Sequence, residues 1–176
     1  MDGFEMTYQV EVDPEMGAEN PVDIGNSGGG RSVPLLVRFE PDIGRPWVGR
    51  FWGGQECGLT GVYSWPDPGT ACVVVSGVTY CGLANDASSW AELTPEPTTD
   101  MVPFLDLHVV ALCDHWNVYG YGKQGEIWRA RDVAVDGFSV LEGDADSLLI
   151  EVERDEDDAR ILRIDARTGA ISESSD

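Results

Sequence analysis

From Val33 to Arg131 the chain never sustains the three-to-four-residue periodicity of an amphipathic helix. It runs instead in eight short β-type stretches: Val33–Phe39, Trp47–Phe51, Gly61–Ser64, Ala71–Val75, Val78–Cys81, Phe104–Leu112, Trp116–Tyr121 and Ile127–Arg131. β-Branched and aromatic residues fit a pleated, half-buried surface, so these stretches predict strands. Turn residues separate them: Pro41-Asp42-Ile43-Gly44, Pro66-Asp67-Pro68-Gly69, Ser76-Gly77 and Lys123-Gln124-Gly125. Ser76-Gly77 lies between two apolar runs and predicts a tight hairpin. The expected class is mostly β, built of antiparallel sheets, with two four-stranded units forming a sandwich or partial barrel. At most one short helix is expected, over Ala87–Leu93, with Asp86 as N-cap and Pro95 beyond its end.

Residues 1–30 read as an acidic, Gly-rich segment with one short strand, because Tyr8, Val10 and Val12 alternate with Gln9 and Glu11. The run from Gly25 to Gly30 reads as a flexible connection. Compact sequence is expected from Arg31, as a single β domain over 31–176. Val33-Pro34-Leu35-Leu36 and Trp47 recur at an offset of 69 as Val102-Pro103-Phe104-Leu105 and Trp116, which suggests an internal repeat over 33–101 and 102–170. Near the C-terminus, Leu148–Arg154 and Arg160–Asp165 flank a polar loop and predict a hairpin. Pairing Ile150 with Ile164 and Val152 with Leu162 sets Glu151 opposite Arg163. Asp165-Ala166-Arg167-Thr168-Gly169 then turns the chain, with Gly169 suited to positive φ, before a last run at Ala170–Ser172.

The 176 residues hold 32 acids and 11 bases, for a net charge of −21. With 42% hydrophobic residues and six Trp, the chain is not a wholly disordered acidic protein. Lys123 is its single lysine, and phosphate binding needs a basic face, so direct nucleic-acid binding is disfavoured. No apolar run approaches the ~20 residues of a membrane helix. Met1 to Asp13 has neither the basic nor the apolar region of a secretory signal, so a soluble, cytoplasmic protein is expected. Cys57, Cys72, Cys81 and Cys113 allow three ways of forming two disulfides; reduced, buried thiols are the expectation in that compartment.

Glu126-Ile127-Trp128-Arg129-Ala130-Arg131, followed by Val135-Asp136-Gly137-Phe138, resembles a tryptophan-arginine strand and turn of small bacterial and plant proteins of unknown function. Gly61-Val62-Tyr63-Ser64-Trp65-Pro66 and Ala71-Cys72-Val73-Val74-Val75 are similar to the same group, over roughly residues 39–172. That resemblance implies a β-rich fold and brings no activity with it. Leu162–Ile171 is also similar to a strand-turn-strand piece of β-propeller blades, of which 176 residues hold two or three at most.

Candidate chemistry is sparse. Cys113-Asp114-His115, with His108 upstream, forms the only Cys/His cluster, and these four residues are the candidates for a pocket. Their spacing is not the paired CxxC or HxxxH spacing of a zinc site, so neither metal nor cofactor is expected. A Cys113–His115 nucleophile pair lacks a third, orienting group. Asp144-Ala145-Asp146-Ser147 and Asp155-Glu156-Asp157-Asp158 are oxygen-rich but lack the calcium-loop pattern, and read as solvated turns. Most Trp residues should lie in the core. Trp65, in a Pro-bounded loop, and Trp90, on the expected helix, are placed near the surface. With Asp155, Glu156, Asp157 and Asp158 they are the candidates for partner contact.

The favoured function is therefore a non-enzymatic acidic binding protein, immunity- or inhibitor-like, engaging a basic protein by electrostatic steering. One alternative is an enzyme or small-ligand domain with a pocket near His108, Cys113, Asp114 and His115. Another takes the acidity as adaptation to salt or to high-GC codon usage. The charge is polarised: residues 1–30 carry seven acids and no base, and residues 142–176 carry twelve acids and four arginines.

Overall fold

The computed structural model describes residues 3–15, 20–25, 33–54, 58–94, 97–135, 137–153 and 159–173. The chain divides into two compact units, Met1–Thr98 and Thr99–Asp176. The class is mostly β, and the described residues form four four-stranded, largely antiparallel sheets. Among the described residues no sheet closes into a barrel, and helix is limited to two three-residue 3-10 turns.

The first unit holds β1 (Tyr8–Val12), β2 (Val22–Ile24), β3 (Leu35–Pro41) and β4 (Trp47–Phe51) in the order β1-β3-β4-β2, with β2 parallel to β4. The N-terminal segment thus supplies two strands of a sheet where the sequence suggested one strand. Its second sheet is a meander of β5 (Gly61–Ser64), β6 (Thr70–Val75), β7 (Val78–Leu83) and β8 (Ala91–Leu93). Tyr8, Val37, Phe39 and Phe51 of the first sheet share a core with Val73, Val75, Val78 and Tyr80 of the second. Rings dominate it. Phe39 stacks on Trp47 at 4.9 Å between centroids, and Trp90 meets Phe51 edge-on at 4.9 Å. The polar ends find carbonyls: Tyr80 Oη donates to Trp52 O (2.7 Å) and Trp47 Nε1 to Ala84 O (2.7 Å). Gly82 leaves the space that Trp90 fills.

The Ser76-Gly77 hairpin forms as expected. Val75 pairs with Val78, and both turn residues have positive φ, +47° and +81°, the signature of a type I′ turn. The helix expected over Ala87–Leu93 is cut to a 3-10 turn at Ala87–Ser89. Asp86 does cap it, Oδ1 accepting from Ser88 N at 2.9 Å. Three residues bury no apolar stripe, whereas Ala91–Leu93 gains a ladder with β7. Pro95 lies outside the described residues, as do Cys57, Asn26, Ser27 and the glycines at 28–30.

The second unit holds β9 (Asp100–Phe104), β10 (Val109–Cys113), β11 (Val118–Gly122) and β12 (Gly125–Ala130) as one meander. A second meander follows with β13 (Phe138–Gly143), β14 (Ser147–Glu153), β15 (Ala159–Asp165) and β16 (Ile171–Glu173). Phe104, Val109, Cys113 and Val118 share a core with Leu148, Ile150, Val152 and Ile164. Trp128 ties the two sheets: its Nε1 donates to Ala166 O (2.8 Å), and its ring fills the space left by Gly120 and Gly169. Gly169, at φ +70°, turns the chain as expected, with Asp165 Oδ1 accepting from Arg167 N and Thr168 N. The long run Phe104–Leu112 is not one strand. A 3-10 turn at Leu105–Leu107 and His108 at φ +51° fold it into the β9–β10 hairpin.

The C-terminal hairpin forms in a different register. Leu148 faces Ile164, Ile150 faces Leu162, and Glu151 faces Ile161, two residues from the expected pairing. A two-residue slip keeps every side chain on its face, so the apolar alternation is blind to it. Arg163 consequently lies opposite Leu149, donating to Ser147 Oγ (2.6 Å) and reaching Asp144 Oδ2 at 3.5 Å. The residues paired by the offset of 69 occupy unlike positions: Trp47 opens β4 and is half-buried, while Trp116 precedes β11 and is 47% exposed.

Candidate functional site

The sequence-derived pocket residues all belong to or border β10. Cys113 is fully buried in the core of the second unit, and burial raises its thiol far above the ordinary value, with the Asp100 and Asp114 charges adding to it. Asp114 ends the strand and is itself buried. Its Oδ1 accepts from Trp116 N and Asn117 N (both 2.6 Å), and its Oδ2 from Asn117 Nδ2 (3.0 Å) and Tyr119 Oη (2.9 Å). A carboxylate offers about four lone-pair sites, and four donor groups fill them here. Asp114 therefore organises the β10–β11 turn and has no lone pair left for a metal or a proton in transit.

The rest of this network runs outward along β11 and β12. Tyr119 is pushed up to about 12 by burial and by its bond to Asp114. Arg129 lies 4.6 Å from the centre of the Tyr119 ring, and two hydrogen bonds tie it to Glu126 (2.6 and 3.1 Å). Asn117 carries the order into the following loop, its Oδ1 accepting from Asp132 N at 3.1 Å.

His108 and His115 are both exposed and lie at opposite ends of β10, on the order of 20 Å apart along an extended strand. His108 occupies the tip of the β9–β10 hairpin; His115 packs edge-on against Trp116 at 5.7 Å. His108, Cys113, Asp114 and His115 are thus not brought into one concave site. Among the described residues no group of three or more His, Cys, Asp or Glu is placed to hold a metal ion.

The partner-contact candidates divide. Trp65, expected at the surface, is only 3% exposed: a loop outside the ladder can still turn its largest apolar side chain inward. Trp90 sits after the 3-10 turn, half-buried against Phe39, Phe51 and Trp47, with Nε1 donating to Leu83 O at 3.2 Å. Asp155, Glu156, Asp157 and Asp158 lie outside the described residues. Trp116, which the sequence reading left with the core, is exposed instead.

Two features escaped the sequence. A cavity of about 290 Å³ in the first unit is lined by Pro41, Ile43, Leu83 and Ala84, with Asn85 and Asp42 as polar groups. It gathers residues from distant turns, for which no local motif exists. The other is the face of the β13–β16 sheet turned away from its core. There Ile161, 37% exposed, lies opposite Glu151, and half-buried Leu149 lies opposite Glu142. Neither Glu142 nor Glu151 has an ion-pair partner among the described residues. The arginines nearby are held elsewhere, Arg163 by Asp144 and Arg160 by Glu173 at 3.0 Å. The face combines apolar contact area with carboxylates that have no ion-pair partner among the described residues.

No helix among the described residues is long and apolar enough to cross a membrane. Compared with protein-family models, with curated proteins and with solved structures, the chain matches none.

Proposed function

We propose that this chain is a non-enzymatic binding protein whose outward face on the β13–β16 sheet engages a basic protein in the cytoplasm. The observation that carries the reading is the pairing on that face of Leu149 and Ile161 with the carboxylates of Glu142 and Glu151, which have no ion-pair partner among the described residues. Apolar contact area supplies affinity, and an uncompensated negative field steers a cationic partner and sets its orientation. Arg38, Arg50, Arg129, Arg160 and Arg163 are already engaged by carboxylates of the chain itself, so internal pairing does not offset the acidic surplus. Neither nucleic acid nor a membrane is part of this reading, and an immunity- or inhibitor-like role is its most specific form.

The test is retention of host proteins on the immobilised chain at low and at molar salt, repeated with Glu142→Lys/Glu151→Lys. A basic protein held at low salt, released at high salt and lost with the double variant supports the proposal. Retention indifferent to both salt and charge reversal would sink it. A melting temperature that climbs steeply with salt, with no basic protein retained, would instead assign the acidity to solvent adaptation.

A further inference from the structure

We propose that Cys72 and Cys81 form a disulfide site, a thiol pair that a small-molecule disulfide such as oxidised glutathione converts into a bond across β6 and β7. The two residues are direct partners in the ladder. The hairpin closes on Val75 and Val78 through a two-residue turn, which makes that closing pair a hydrogen-bonded one. Alternation along the ladder then fixes the rest. Ala84 N donates to Gly69 O at 2.9 Å, three steps of two residues beyond the closing pair, confirming the phase. Cys72 and Cys81 fall between the hydrogen-bonded pairs, where opposed Cα atoms are about 4.5 Å apart and side chains are closest. That separation lies within the range of about 4.4–6.8 Å that a disulfide spans.

Both side chains project from one face of the sheet, opposite to the face on which Ala71, Val73 and Tyr80 join the aromatic core. Cys81 is partly exposed and Cys72 is fully buried, which separates the two roles. The Cys81 thiolate attacks one sulfur of the glutathione disulfide, forming a mixed disulfide and releasing one glutathione thiol. Cys72 then loses its proton, and its thiolate attacks Cys81 Sγ, forming the protein disulfide and releasing the second glutathione thiol. Two protein thiols are oxidised and one glutathione disulfide is reduced, with no other reagent needed. Cys113 does not compete, since its ladder partners are Asp100 and Val118. Burial and the Asp67 charge push Cys81 up to about 12, so exchange on the folded chain is slow and refolding is the faster entry.

The experiment refolds the full chain from denaturant in a glutathione redox buffer, then blocks free thiols with iodoacetamide in urea, which opens the buried sites, and digests before Asp residues. The fragment covering 67–85 is expected unlabelled and lighter by two hydrogens. The oxidised chain should show a higher urea midpoint, which dithiothreitol reverses. In Cys81→Ser the Cys72 thiol should be labelled and the midpoint shift lost. If that variant fails to fold, the mass of the wild-type fragment decides by itself. Alkylation of Cys72 or Cys81 in the refolded wild-type chain, or linkage of either to Cys57 or Cys113, would overturn the proposal.

Discussion

In the first unit Phe39, Trp47, Phe51, Tyr80 and Trp90 form a chain of rings, in which Phe39, Trp47, Phe51 and Trp90 each touch at least two others. In the second, the core is mainly Val, Ile, Leu and Ala, with Phe104 and Cys113, around a single indole, Trp128. Both units pack two four-stranded sheets, and they differ in how the load is shared. A mesh of rings spreads the loss of any one member, because offset and edge-on pairs remain. A lone Trp concentrates it.

That contrast is open to direct attack. Trp128→Ala should cost about 4 kcal/mol, since it empties the space framed by Gly120 and Gly169 and removes the bond to Ala166. Trp90→Ala, removing a half-buried ring with other rings beside it, should cost about half as much. Urea unfolding followed by circular dichroism gives both values, and equal losses would dismiss the contrast. Asp114→Ala strands the part-buried Trp116 and Asn117 amides and the buried Tyr119 hydroxyl, with an expected loss of about 2 kcal/mol by the same measurement.

The turns sharpen the comparison further. Gly77→Ala and Gly169→Ala each force a side chain into positive φ, at a cost of about 1 kcal/mol or more. At both positions the new methyl also meets a neighbour at 2.7 Å, Pro97 Cβ for Gly77 and the Trp128 ring for Gly169, so neither loss should stop at the backbone term. Raising the pH probes the second unit separately. Tyr119 is held at about 12 when folded, against 10.0 ordinarily, so its contribution is complete below pH 10 and disappears as the pH rises towards 12. Stability should fall between pH 10 and 12, and Tyr119→Phe should flatten that part of the pH–stability curve. The smallest effect concerns register. A double-mutant cycle should couple Arg163 to Asp144 by at most about 0.5 kcal/mol, as befits an exposed pair, and Arg163 to Glu151 by nothing measurable.

Where local chemistry decides the structure, it was readable from the residues. Ser76-Gly77, Gly169 and the Asp86 cap each act through backbone atoms one to three residues away. The strands missed are those in which the period-two signal is short or broken. Val22–Ile24 and Ala91–Leu93 have only three residues each, and Phe138–Gly143 carries a bulge between Val140 and Glu142 that throws its alternation out of phase. The hairpin register failed for a different reason, since faces were conserved while partners shifted. The site was the least legible part. Asp114 looked like a pocket residue because Cys and His flank it, yet Asp114-His115-Trp116-Asn117 is a turn motif in which the carboxylate serves amides two and three residues on. Trp65 shows the same limit, for nothing in a Pro-bounded loop announces which way its ring will face.

The β2 strand, lying parallel to β4, has a kinetic consequence. Three of the four sheets are meanders whose strands meet partners close by in sequence, so their pairings close small loops and form early. Docking β2 joins Val22 to Gly49, and β1 reaches across to β3 with Gln9 against Glu40, so both pairings span some thirty residues. Each closes a far larger loop than the β3–β4 hairpin, so each is expected to form after it. The acidic segment that carries β1 and β2 is therefore among the last parts of the chain to find its place.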